Sequence, residues 1–129
     1  MKKSTINFDT IDMKNNKYKE VKLNPILIKQ LKMDLNIKWT YNSTGIEGNS
    51  FTLNQTRVLL ADSITIGGKK IADHLEIIGH SKAIEYLEDT INNEIELTER
   101  EIKNLHSLVT KDVEGVNSGA YRNIDVYIN

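Results

Sequence analysis

The first helical pattern in the chain follows a proline. Asn24-Pro25 is a good helix start, because asparagine can cap the first turn and proline fits the first helical position. Leu27, Leu31 and Leu35 then recur at steps of four residues, and Trp39 extends the same apolar face. The spacing predicts an amphipathic helix of roughly 18 residues, which the glycines of residues 43–49 should end.

Three more helices are predicted downstream. Thr52 and Gln55 match a capping box, in which the threonine oxygen accepts from a backbone amide and the glutamine reaches back. Apolar spacing predicts a long helix over about residues 70–92, and Gly79 within it suggests a close crossing with another helix, since glycine otherwise weakens a helix. Thr98-Glu99-Arg100-Glu101 matches a second capping box before a fourth apolar face.

The two ends of the chain show other patterns. Residues 1–23 are polar and rich in Lys and Asn, which predicts a loosely ordered arm. Apolar and polar residues alternate over residues 121–128, as in a β-strand. A single strand leaves its edge groups unpaired, so we expect it to pair with another chain or with residues of a longer protein. The predicted fold class is therefore mainly α, with one short C-terminal β-strand.

Composition narrows the classes of function. The 129 residues suffice for one domain, and 17 basic residues against 18 acidic ones give a net charge of −1, which argues against a general nucleic-acid binder. The absence of cysteine excludes disulfides and thiolate metal sites. No apolar run approaches the roughly 18 residues of a membrane helix, and no secretory signal follows the N-terminus. We therefore expect a cytoplasmic protein with neither a membrane nor a nucleic-acid partner.

Few residues suggest chemistry by themselves. His74, His80 and His106 lack the spacing of metal ligands, and packing or surface roles are expected for them. The turn at residues 67–70 contains two glycines and two lysines but lacks the spacing of a phosphate-binding loop. Glu47 is different, because a glutamate at a helix C-terminus faces the negative end of the macrodipole. On the residues alone, it is interpreted as a solvated helix end.

A family resemblance changes that interpretation. The pattern Ser43-x-x-x-Glu47-Gly48 resembles the inhibitory motif of Fic-domain proteins, which is Ser or Thr, three residues, Glu, then Gly or Asn. The likeness covers roughly residues 35–129 and continues in four further ordered segments: residues 46–53, 76–87, 97–106 and 119–128. Residues 97–106 resemble the start of a core helix of the family, and residues 119–128 resemble the first strand of its flap.

The resemblance implies a function in protein adenylylation. Fic enzymes transfer AMP from ATP to hydroxyl groups of target proteins, so ATP and Mg²⁺ are implied for the complete enzyme. The general base and phosphate cradle of the family lie on a His-Pro-Phe-type loop that this sequence does not contain. No catalytic residue and no metal ligand are therefore assigned here, and we expect this chain alone to be inactive and to bind neither cofactor.

The resemblance also implies roles for individual residues. Glu47 would pair with an arginine of the catalytic loop and block productive binding of the γ-phosphate, and Ser43, Gly48 and Asn49 would complete the inhibitory motif. Four residues match flap positions beside the nucleotide: Val126, Tyr127, Ile128 and Asn129. Three residues would dock an extended segment of the target protein by β-augmentation: Tyr121, Arg122 and Ile124.

These roles divide the chain into three regions. Residues 1–23 form the polar arm, residues 24–50 the inhibitory helix region, and residues 51–129 the N-terminal portion of a Fic-like helical domain with its flap strand. A motif placed before the core resembles the family class that inhibits itself in cis. The alternative is a stand-alone, antitoxin-like or scaffold module that acts in trans on a Fic enzyme. A homo-oligomer is compatible with either interpretation.

Overall fold

The computed structural model describes residues 8–127, and helices dominate this part of the chain. The helices are α1 (Asp9–Glu20), α2 (Pro25–Ile46), α3 (Leu53–Asp62), α4 (Ile71–Asn92) and α5 (Glu99–Thr110). The mainly helical fold class is therefore confirmed. Between residues 8 and 127, no helix has the length and apolar character needed to cross a membrane.

The chain divides into two compact units, Met1–Lys32 and Met33–Asn129. The described part of the first unit contains α1, which buries none of its residues. The sequence predicted a loosely ordered arm here, and for residues 9–20 that prediction is wrong. Charge explains the helix better than packing does, because acidic residues occupy its first turn and Lys17 and Lys19 its last, as the macrodipole favours.

A small apolar core organises the second unit. Phe51, Leu59 and Ile77 are buried together, and three half-buried apolar side chains pack against them: Leu60, Ile66 and Ile78. This cluster joins α3 and α4 to the segment that precedes α3. The motif segment at residues 43–49 therefore leads directly into the core of the unit.

Both predicted helix starts are present, in different forms. The capping box of α3 is complete: Thr52 N–H donates to Gln55 Oε1 at 3.0 Å, and Gln55 N–H donates to Thr52 Oγ1 at 3.2 Å. At α5, Glu101 N–H donates to Thr98 Oγ1 at 3.4 Å. The Glu101 side chain accepts instead from the Tyr86 hydroxyl of α4, so the second box is half formed and its glutamate joins two helices.

The close crossing predicted at Gly79 is confirmed. A Cβ atom at this position would lie 2.6 Å from the carbonyl oxygen of Leu108 in α5, well inside van der Waals contact. Glycine lets the backbones of α4 and α5 approach each other where a side chain would hold them apart.

The buried face of α2 differs from the apolar face of the sequence pattern. Leu35 and Trp39 are 63% and 53% exposed, whereas Asn36, Ile37 and Thr40 are buried. The helix ends at Ile46, within the segment of residues 43–49 that the sequence predicted would end it. Polar side chains can replace apolar ones at a buried face when they find hydrogen-bond partners, and those partners are described below.

The predicted C-terminal strand is not confirmed. Residues 121–127 form no strand, and none occurs anywhere in residues 8–127. Ile128 and Asn129 of the predicted flap lie outside the described residues. An extended segment gains a strand's hydrogen bonds only from a neighbouring strand, which the described residues do not supply.

Candidate functional site

The motif segment forms the C-terminal end of α2. Gly48 has a φ of +96°, in the left-handed region that favours glycine. Its N–H donates to Gly45 O at 3.1 Å, and Asn49 N–H donates to Thr44 O at 3.1 Å. These two bonds make a Schellman cap, which satisfies carbonyls left open at the helix end. The cap fixes the direction in which the chain leaves α2.

Glu47 is the residue at which α2 gives way to this cap. Its backbone N–H donates to Thr44 O at 3.1 Å, and its side chain is exposed. Within residues 8–127, the Glu47 carboxylate has no hydrogen-bond or ion-pair partner. The backbone of this residue is therefore held in place, while its charged group is open to solvent.

The two hydroxyl residues before the cap differ in burial. Ser43, the motif residue identified from sequence, is half-buried in the last turn of α2. Its neighbour Thr44 is 4% exposed, and the Thr44 hydroxyl donates to Thr40 O at 2.9 Å. Sequence reasoning missed Thr44, since the motif pattern leaves this position unspecified.

Asn49 joins the end of α2 to α4. Its side-chain amide donates to Glu76 Oε2 at 2.7 Å and to Asp73 O at 3.0 Å. Its Oδ1 accepts from the N–H of Phe51 at 3.1 Å. The motif asparagine thus connects three segments of the unit, although neither Asp73 nor Glu76 stood out in the sequence.

Neighbouring side chains reinforce this connection. The Ser50 hydroxyl donates to Asp73 Oδ2 at 2.5 Å, and the Lys69 ammonium donates to the Ser50 carbonyl. The Lys69 ammonium also lies 5.8 Å from the centre of the Phe51 ring. Lys69 belongs to the glycine-lysine turn that the sequence excluded as a phosphate loop, and the structure gives it a role in holding the segment after Glu47.

A second set of polar contacts seats α2 on α4. The Asn36 amide donates to Ser81 O at 3.3 Å, and the Thr40 hydroxyl lies 3.1 Å from His80 Nδ1 and donates to Asn36 Oδ1 at 3.3 Å. Burial lowers the pKa of His80, because the charged imidazolium loses hydration at this interface. The contact between the two helices therefore depends on hydrogen bonds among buried polar groups.

The other histidines also have structural partners. His74 Nε2 accepts from Ile66 N–H at 3.0 Å, while its Nδ1 lies 2.8 Å from Lys70 O. His106 Nδ1 accepts from Gly119 N–H at 2.9 Å. The packing role predicted for these side chains is confirmed. In residues 8–127, no group of three His, Asp or Glu side chains could hold a metal ion.

The segment assigned to the flap lies beside α5. The described residues of this segment are exposed, and the Lys103 ammonium lies 4.8 Å from the centre of the Tyr121 ring. A cleft of about 620 Å³ separates α5 from residues 115–122, and its lining includes Lys103, His106, Tyr121 and Arg122. Among the described residues, no contact joins this cleft to Glu47.

The charged side chains around the motif, other than Glu47, are engaged by neighbouring residues of the same unit. The acidic side chains near the motif, Asp73 and Glu76, accept hydrogen bonds from Ser50 and Asn49. The glycine-lysine turn points its Lys69 ammonium at a backbone carbonyl of the same unit. What the arrangement offers is an exposed carboxylate on a fixed helix end.

Comparison with known proteins identifies the family. No family model and no solved structure matches the chain. The Protein adenylyltransferase Fic of Drosophila erecta is 31% identical over 120 residues, which cover 93% of this chain and 24% of that protein. The protein of the same name from Drosophila grimshawi is 34% identical over 101 residues, which cover 78% of this chain and 21% of that protein. The one from Drosophila persimilis is 30% identical over 119 residues, which cover 92% of this chain and 23% of that protein. The chain spans about a quarter of the length of these relatives, and it belongs to the Fic protein adenylyltransferase family.

Proposed function

We propose that this chain is the N-terminal, autoinhibitory portion of a Fic-type protein adenylyltransferase, in which Glu47 blocks productive binding of the ATP γ-phosphate. The observation that carries the proposal is the position of Glu47: an exposed carboxylate, without a partner in residues 8–127, at the capped end of α2. The family membership supplies the context, since the relatives are named as protein adenylyltransferases.

The blocking effect follows from charge and geometry. A carboxylate can accept two parallel N–H bonds from an arginine, which occupies the same fork that a phosphate would use. A second negative charge beside the triphosphate also repels it. Helix stability does not account for a glutamate here, because the negative end of the macrodipole makes this position mildly unfavourable. The proposed arginine lies on the catalytic loop of the complete enzyme.

This portion supplies regulation, and the remainder of the enzyme supplies the chemistry. We assign the binding of ATP and Mg²⁺ to that remainder. We expect no transfer of labelled AMP by the 129-residue chain alone, to itself or to lysate proteins. Labelling above a blank without protein would contradict this division of labour.

The partner proposals concern the C-terminal segment. Val126, Tyr127, Ile128 and Asn129 would lie beside the nucleotide of the complete enzyme, while Tyr121, Arg122 and Ile124 would dock the target protein. Exposure of the described members of this set supports the proposal, since a docking strand must present free edge groups. The location we propose for the enzyme is the cytoplasm.

Substitution of Glu47 in the full-length enzyme tests the regulatory role. Glu47→Gly should raise the rate of autoadenylylation at least about tenfold, which corresponds to about 1.4 kcal/mol of transition-state stabilisation. Glu47→Gln should activate less, because the amide fills the same space and bonds weakly to the arginine. Glu47→Asp should activate partly, since the shorter side chain misplaces the carboxylate.

The matched control is Glu94→Gly. Glu94 is also exposed and lies two residues after the end of α4, where its φ of +53° accepts glycine without strain. This substitution should leave the rate of autoadenylylation unchanged. A rate like that of the wild type for Glu47→Gly would refute the proposal and leave Glu47 as a solvated helix end.

A further inference from the structure

We propose that Asn49 is a positioning residue whose side chain, bonded to Asp73 and Glu76 of α4, holds the Glu47 carboxylate in its inhibitory place. The inference rests on the proposed function of Glu47 and adds the device that keeps this carboxylate fixed. The Schellman cap holds the backbone of Glu47 on α2, and the Asn49 side chain fixes this capped end, where helices fray, against α4.

The hydrogen bonds of Asn49 use every polar group of the residue that faces the protein. Both hydrogen atoms of its amide are engaged, one with Glu76 Oε2 and one with Asp73 O. Its Oδ1 accepts from Phe51 N–H, and its own N–H closes the cap of α2 on Thr44 O. An aspartate lacks the two donors and an alanine lacks all side-chain contacts, so the site selects an amide.

The bond to Glu76 is the strongest of these contacts, because its acceptor is a carboxylate and its length is 2.7 Å. Asn49 is half-buried, so water competes for this bond less than it does at a fully exposed site. Since Asn49 follows Glu47 by two residues, loss of the bond frees the residues around Glu47 from α4. Ser50 adds a second connection for the same segment, through Asp73 and Lys69, at an exposed position where water competes for the bonds.

We call the bonds of the Asn49 side chain to Asp73 and Glu76 the latch. Hydrogen–deuterium exchange of the 129-residue chain tests this latch independently of enzymatic activity. Asn49→Ala should speed exchange of the amides of residues 47–49 at least about tenfold and leave the amides of α5 unchanged. The matched control is Asn93→Ala, since the Asn93 amide also donates to a backbone carbonyl, that of Asp89 at 2.7 Å, but at the far end of α4. Unchanged exchange at residues 47–49 in Asn49→Ala would overturn the inference.

Swapping the amide and the carboxylate between positions 49 and 76 provides a rescue experiment. Asn49→Asp alone places two carboxylates together and should speed exchange at residues 47–49 further than Asn49→Ala does. With Glu76→Gln added, the introduced amide can donate to the introduced carboxylate, which still accepts from Phe51 N–H. Exchange should then return to within about threefold of the wild type. Failure of this rescue would overturn the assignment of Glu76 as the partner.

Autoadenylylation by the full-length enzyme links the latch to regulation. Asn49→Ala should raise the rate, and combining it with Glu47→Gly should add nothing, because Asn49 acts through Glu47. If Glu47→Gly activates and Asn49→Ala does not, the latch inference fails while the proposed function stands. If Glu47→Gly itself has no effect, the proposed function fails. Faster hydrogen exchange in Asn49→Ala then shows a structural contact only, and the regulatory role of Asn49 is overturned.

Discussion

Replacing Gly79 by alanine should destabilise the protein, although alanine is the better helix former. Gly79 lies inside α4, where alanine would gain about 1 kcal/mol of helix propensity. The added Cβ would lie 2.6 Å from Leu108 O, whereas ordinary contact begins at 3.4 Å, so α5 must move by 0.8 Å or the crossing must rotate. Overpacking of this kind costs about 1–3 kcal/mol. The expected balance is a loss of about 1 kcal/mol, from the middle of these ranges.

Thermal unfolding followed by circular dichroism measures this loss. For a chain of 129 residues, about 1 kcal/mol lowers Tm by about 4 °C. Gly45→Ala is the matched control: Gly45 lies in α2, and nothing lies within 4 Å of its added Cβ. This variant should raise Tm or leave it unchanged. If Gly79→Ala melts at or above the wild type while Gly45→Ala behaves as expected, the close crossing of α4 and α5 is refuted.

The remaining predictions concern the seat of α2. Thr40→Val should lower the free energy of unfolding by about 1–3 kcal/mol, because it leaves the buried Asn36 and the half-buried His80 without the hydroxyl. Leu35→Ala, on the exposed apolar face, should change the free energy of unfolding by less than about 0.5 kcal/mol. If urea unfolding shows a larger loss for Leu35→Ala than for Thr40→Val, the buried polar contact between α2 and α4 is contradicted. The hydrogen bond from Lys38 holds the pKa of Asp34 below its ordinary value. The ionised Asp34 should therefore stabilise the fold at pH values above that ordinary pKa, and this stabilisation should be lost as the pH falls through the lowered pKa. Lys38→Gln should raise the pKa of Asp34 in an NMR titration, and an unchanged pKa would exclude this cause.

Local signals predicted the helices that begin with a cap. The box at Thr52 and Gln55 needs only residues three apart, so the sequence contains the whole interaction. Gly79 was informative for a related reason, because its cost to a helix points to a compensating close approach. Helix α1 escaped prediction because it buries no residue and so shows no apolar period.

The position of the candidate site was predictable and its support was not. Glu47 follows from a short sequence pattern, and the cap at Gly48 follows from the glycine beside it. The partners of Asn49 lie 24 and 27 residues away on another helix, and nothing in the local sequence marks Asp73 or Glu76 as partners. Contacts of this kind arise from tertiary packing, which pattern and propensity do not encode.

The face of α2 shows why hydrophobic spacing can select the wrong side of a helix. Spacing locates the side with most apolar area, yet a buried face needs only that its groups be satisfied. Asn36 and Thr40 meet this condition through each other, His80 and the carbonyl of Ser81. A net contribution of about 0.5–1.5 kcal/mol for each such bond is smaller than the burial of a large apolar side chain, at about 1.5–3 kcal/mol. The contacts of α2, the helix that ends at the proposed inhibitory carboxylate, therefore specify its position more than they add stability. Displacing a helix held by such hydrogen bonds requires less free energy than displacing one packed through leucines.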